Sequence, residues 1–193
     1  MFIIFKSALT SIVLLLSLSN SANAFAEKLD GNFAILIPNV HFQNPVRLLH
    51  PYYDYWHTKG PATQKAAQKV FNQHFVNPKF CADNKMPDVV LSLEPQLFFN
   101  AQMNVFHAQM TAKVYNSGIS PILTIKSEAQ EIGLLHSNAD FHIDKAYLKV
   151  MNSVVKELEK DPIFLAALNP TQKTITNDLC GTLNVLAPTT LFF

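Results

Sequence analysis

Seven histidines, two cysteines and one dense run of aromatic residues are the side chains with chemistry to offer in this chain of 193 residues. His50 and His57 flank the aromatic run, and His136 and His142 flank the start of a predicted long helix. A zinc site needs three or four converging ligands, usually with tight local spacings such as His-Glu-x-x-His or Cys-x-x-Cys, and neither spacing occurs. Loop and surface histidines are the reading this pattern favours, and neither a metal nor a cofactor is expected. No Gly-x-Ser-x-Gly elbow is present for a serine nucleophile. Cys81 or Cys180 beside a histidine would make a thiol pair, but in an oxidising compartment the two are expected to be joined instead. The acidic residues fall mostly at predicted helix ends and on polar strand faces, where solvation accounts for them better than a pair of glycosidase carboxylates. No catalytic residue is assigned, and the chain is not expected to be an enzyme.

The stretch Leu49-His50-Pro51-Tyr52-Tyr53-Asp54-Tyr55-Trp56-His57 is the strongest local anomaly. Tyr and Trp combine a large apolar area with one polar atom, which suits a ligand or partner surface. The same rings could instead cap one end of a core. Both readings stand at this point, and the candidate binding residues are His50, Tyr52, Tyr53, Tyr55, Trp56 and His57.

These residues sit in a chain with the marks of export. Lys6 supplies a positive start, Ile12 to Leu18 an apolar stretch, and Ala22-Asn23-Ala24 a small-x-small cleavage site, so residues 1–24 read as a signal peptide and the mature chain is expected to begin at Phe25. The apolar run is too short to span a bilayer comfortably, so no transmembrane segment is expected after cleavage. No Cys lies near the cleavage point, so a lipid anchor is not expected, and the address reads as bacterial and periplasmic. Of 15 Lys and Arg, Lys6 leaves with the signal, giving 14 basic against 14 acidic side chains. Arg47 is the only arginine. That balance excludes the basic stripe of a nucleic-acid binder and electrostatic attachment to a membrane surface. The remaining residues, 25–193, are the size of one domain. Across it Cys81 and Cys180 are expected to form a disulfide, which would pin the end of the chain to the rest.

The elements that must position the aromatic run follow from periodicity. Phe33 to Pro38 reads as a buried first strand, followed by a long irregular segment from Asn39 to Gly60 that holds the aromatic run. Pro61 opens a helix to Phe75, with Ala66, Val70, Phe71 and His74 or Phe75 inward. Lys79 to Met86 reads as a polar loop. Asp88 to Leu93 is a second buried strand, with a bend or edge position at Pro95 and a connecting segment from Gln96 to Gln102. A hairpin follows, turning at Asn116-Ser117-Gly118. Phe106, Ala108, Met110, Ala112 and Val114, then Leu123, Ile125, Ser127 and Ala129, share its apolar face. Thr111, Lys113, Lys126 and Glu128 share its polar face. Ser137 and Asp140 have capping-box spacing before a helix from about Ala139 to Lys160, whose inward stripe is Ile143, Ala146, Tyr147, Val150, Met151, Val154 and Leu158. Asp161-Pro162 closes that helix. Asn169-Pro170 opens another short one that stops at Gly181, and Thr182 to Phe193 could add an edge strand.

The fold class expected is therefore α/β, of an α+β-like two-layer kind. It has a mixed four- to five-stranded sheet with helices on one face, in β-α-β-β-β-α order plus a short carboxy-terminal helix. Residues 32–160 form its core and 161–193 an extension. The opening strand Phe33 to Pro38, the strand Pro87 to Ser92, the hairpin Ala112 to Gly133 and the helix Asp144 to Leu158 together resemble the α/β domain of bacterial envelope accessory proteins. Examples are the amino-terminal domain of the Tol translocation protein, lipoprotein activators of penicillin-binding proteins and curli-type secretion lipoproteins. The resemblance implies binding of another envelope component rather than catalysis. The function expected is a non-enzymatic periplasmic binding or adaptor protein with an envelope protein partner. The alternative is a small periplasmic metal-binding protein or hydrolase that uses the histidines and the aromatic loop.

Overall fold

A computed structural model describes residues 28–30, 32–81, 87–169 and 178–187. The signal peptide expected at residues 1–24 and the last six residues of the tail lie outside them. The buried strand β1 (Phe33–Leu36) has sheet partners on both sides, which is why a four-residue run without a polar side chain is placed there. It pairs in parallel with β4 (Lys79–Phe80) and with the first residues of β5 (Val89–Asn100). The crossover between β1 and β4 carries helix α2 (Lys59–His74). β5, β6 (Val105–Tyr115) and β7 (Leu123–Ile132) then run antiparallel, and the sheet order is β4-β1-β5-β6-β7.

The period-2 alternation of β6 and β7 decides which face is covered. Phe106, Ala108, Met110, Ala112 and Val114 point under α2 and α3 (Ala139–Leu158), and together with Ile143, Tyr147, Val150 and Val154 they form the main core. Lys126 and Glu128 on the other face are exposed, Thr111 and Lys113 half-buried. Polar pairs cross that face: Lys113 Nζ to Glu94 Oε1 at 2.8 Å and Gln109 Nε2 to Glu128 Oε1 at 2.9 Å. The mixed two-layer architecture is the one expected. The short carboxy-terminal helix, α5 (Leu179–Leu186), lies on the face opposite α2 and α3, where Leu179, Cys180 and Leu183 pack on Ala34, Leu36, Val90 and Tyr115. It is held there by the Cys81–Cys180 disulfide, with Cα atoms 5.6 Å apart.

Several boundaries differ from the sequence expectation, each for a local reason. The segment from Asn39 to Gly60 is not irregular: it contains a helical turn, α1 (Val40–Gln43), and an antiparallel hairpin of β2 (Val46–Leu49) and β3 (Asp54–His57). Helix α2 starts at Lys59, so Pro61 is still in the first turn, where its missing N–H costs nothing. Gly60 lies so close to α1 that a Cβ there would meet the Phe42 ring at 2.6 Å. Strand β5 runs on through Gln96 to Asn100, and the turn to β6 falls at 101–104 instead. Asn100 Oδ1 accepts from the backbone N–H groups of Gln102 and Met103, and Asn104 takes the left-handed conformation. Pro95 is accommodated because β1 pairs with β5 only as far as Ser92. Lys79 and Phe80 form strand β4 at the start of the supposed polar loop, and residues 82–86 lie outside the description.

Asp161-Pro162 opens a helix rather than merely closing one: Asp161 accepts from the N–H groups of Ile163 and Phe164 at the start of α4 (Pro162–Leu168). Asn169 follows the end of α4, and residues 170–177, where the next short helix is expected to open, lie outside the description. Gly181 lies inside α5, where the absence of a Cβ lets the Asp178 carboxylate reach the Gly181 N–H at 2.9 Å. Thr182 to Leu186 are helical and not an edge strand. The Ser137/Asp140 capping box does not form, since the N-cap of α3 is Asn138 in the left-handed region at φ 58°.

Candidate functional site

The hairpin β2–β3 divides the aromatic run by strand alternation. Its register pairs Val46 with His57, Arg47 with Trp56, Leu48 with Tyr55 and Leu49 with Asp54. Alternate pairs face opposite sides, so Val46, Leu48, Tyr55 and His57 turn inward while Arg47, Leu49, Asp54 and Trp56 turn outward. Leu48 is buried in the main core and anchors the unit. Trp56 is 61% exposed and Tyr52, at the tip, 84%. The two sequence readings of the run therefore apply to different residues: the inward rings cap the core and the outward ones form a surface.

The tip has its own order. The Tyr52 N–H donates to His50 Nδ1 at 3.2 Å within the four-residue loop 50–53. The His50 ring lies 4.7 Å from that of Tyr53 and 6.4 Å from that of Phe99 on β5. Tyr53 stacks on His136 with ring centres 5.4 Å apart. On the outward face Arg47 binds the Asp54 carboxylate, its Nε donating to Oδ1 at 2.7 Å.

Between the hairpin and the start of α3 lies an open cleft of about 420 Å³, lined among others by Tyr53, Asp54, Tyr55, His136 and Asp140. The Tyr55 hydroxyl donates to Asp140 Oδ1 at 2.6 Å. Partial burial, followed by that hydrogen bond to a carboxylate, pushes the Tyr55 phenol well above its ordinary range. His57 Nδ1 is 3.9 Å from the same Asp140 oxygen, beyond hydrogen-bond reach. Its ring is buried against Tyr147. Burial holds His57 below the usual imidazole range, against the pull of Asp140 and Asp144.

The structure brings Tyr53, Tyr55 and His57 toward this cleft or the core beneath it, and leaves Tyr52 and Trp56 on the outer surface. Asp140 and His136 complete the site. Asp140 is 85 residues from Tyr55 in sequence, and nothing in the sequence pattern joins the two. Of the remaining histidines, His41 is pushed down to about 4 by burial and by nearby Lys59, itself lowered by burial. His142 Nδ1 faces Glu131 at 3.6 Å in a cluster with Lys145 and Lys149, an ion network that ties α3 to β7. Among the described residues no three His, Cys, Asp or Glu side chains converge as a metal site would require. No helix of the described residues is long and apolar enough to cross a membrane.

Fold and site together define a two-layer α/β protein with an aromatic hairpin and an open cleft at one end of α3. No protein-family model matches the chain, and no curated protein does. Among solved structures it is similar to a DUF330 protein from Xanthomonas campestris, with 8% identity and a TM-score of 0.46, over 66% of this chain and 83% of that one. It is also similar to a candidate lipoprotein from Caulobacter crescentus, with 9% identity and a TM-score of 0.32, over 57% of this chain and 84% of the other. At these values neither likeness bears on function, and the expected resemblance to Tol and activator domains finds no support in them.

Proposed function

We propose that the protein is a non-enzymatic binding or adaptor protein of the bacterial envelope, periplasmic after loss of its amino-terminal segment, and that it contacts an envelope protein through the β2–β3 hairpin. One observation carries the reading. Tyr52, Trp56 and Leu49 are held out to solvent on a hairpin whose other face is fixed in the core. Large exposed rings on a rigid support are the usual anchors of protein interfaces, because burying them on binding gains area at little cost in side-chain freedom. The export-like amino terminus and the disulfide support an oxidising compartment.

The test is co-purification from a bacterial periplasm of wild type and of a Tyr52→Ala/Trp56→Ala variant. A discrete partner should accompany the wild type and be lost from the variant, while the variant's thermal midpoint stays within a few degrees of the wild type. Equal recovery from both, or no partner with either, would contradict the proposal.

A further inference from the structure

The cleft beside the hairpin has a composition that selects its occupant. Asp54 is already bound by Arg47, and Asp144 by Lys65. Asp140 is different: its side chain is 78% exposed, and among the described residues it touches only the Tyr55 hydroxyl and, at 3.9 Å, the imidazole of His57, while the ammonium of Lys65, bound to Asp144, feels its charge from farther off. One oxygen of Asp140 accepts from Tyr55, and no hydrogen bond of a described residue reaches the other. Tyr53 and His136, stacked on each other and with His50 4.7 Å from Tyr53, line the same cleft and give it an aromatic side. A volume of about 420 Å³ is far larger than a bare ion needs, and the absence of a third converging ligand among the described residues argues against a metal cation. A carboxylate beside an aromatic face in a cleft of this size fits an organic cation. The carboxylate takes a charge-assisted hydrogen bond and the aromatic lining flanks the cation.

We propose that this cleft receives a basic side chain, arginine or lysine, of the partner that docks on the hairpin. The inference rests on the adaptor reading for the owner of that side chain. The chemistry of the cleft stands on Asp140, Tyr53 and His136. A planar guanidinium matches the site best, since it can donate to the free Asp140 oxygen while packing against the aromatic side of the cleft.

The probe is acetyl-arginine-methylamide, titrated into the isotope-labelled protein and followed through the amide resonances of Asp54, His136 and Asp140. Saturable shifts are expected. They should be weaker by about tenfold or more with the uncharged citrulline amide, which has nearly the same shape. Asp140→Asn, which keeps an acceptor for the Tyr55 hydroxyl, should reduce arginine binding to the citrulline level. Tyr53→Leu should weaken it without removing the charge effect. Equal binding of arginine and citrulline amides, or no saturable shift in the wild type, would overturn the proposal without any variant having to fold. Tighter binding of putrescine than of the arginine or lysine amides would overturn the side chain as occupant in favour of a free amine. If arginine fails to bind while co-purification still depends on Tyr52 and Trp56, the cleft inference falls alone. If arginine binds and no partner is ever recovered, the adaptor reading and the side-chain occupant fall together.

Discussion

At the scale of single residues, the account separates side chains that hold the hairpin from side chains that it displays. Leu48 is buried in the main core, so Leu48→Ala should lower unfolding free energy by roughly 2–5 kcal/mol in denaturant titration. Trp56→Ala, one strand position outward, should change it by no more than about 0.5 kcal/mol, since surface substitutions away from special features rarely do more. A large loss at Trp56 would mean that its ring is structural. Tyr55→Phe removes one hydrogen bond to a solvent-facing carboxylate and should cost about 0.5–1.5 kcal/mol. The residue types of this region stand out in sequence, but their division into inward and outward sets does not. Six of the nine residues from Leu49 to His57 are aromatic or histidine, and a run so uniform hides the two-residue period that would show which ones face the core.

At the scale of elements, what could be read was what repeats. Strands β6 and β7 alternate over ten or more residues, and α3 carries its stripe over 20, so both were evident with their faces. The β2–β3 hairpin was not, because each strand has four residues and its turn has no glycine. Its four-residue loop needs no Asn-Gly pair and carries instead a hydrogen bond from the Tyr52 N–H to His50 Nδ1. Helices α4 and α5 did carry a signal, an Asp at the N-cap and for α4 a Pro just inside, which reads equally well as the end of the preceding helix. The start of α3 yields a test. Asn138 is left-handed and makes no side-chain cap, so Asn138→Gly should be neutral or slightly stabilising. Asn138→Ala should cost on the order of 1 kcal/mol. Thermal unfolding of the pair decides it, and equal stability of both would show that the backbone there is not held left-handed.

At the scale of the whole molecule, the disulfide joins residues 99 apart and fixes α5 to the far face of the sheet. Replacing both cysteines by serine should cost about 2–5 kcal/mol, measured by denaturant unfolding against the oxidised wild type. Acid should also weaken the fold, starting well above the carboxylate range. His41 is depressed to about 4 when folded and His57 is lowered too, whereas unfolded histidine titrates near 6.5. Between those values the unfolded chain binds more protons, so stability is full above about pH 6.5 and falls as pH drops toward 4. Glu131, lowered mainly by Lys149, extends the loss below the ordinary glutamate range. His41→Gln should flatten the upper part of that limb and Glu131→Gln the lower, and an unchanged pH profile in both would contradict the assignment.

The central claim is that the hairpin meets a protein partner, and the most direct measurement is site-specific photo-cross-linking in the periplasm. A photoreactive residue is placed in turn at Tyr52, at Trp56, at Lys69 on the outer side of α2 and at Lys126 on the open face of the sheet, all exposed positions. The account predicts one discrete adduct from Tyr52 and Trp56 and none from Lys69. Adducts from Lys126 with none from the hairpin would contradict it.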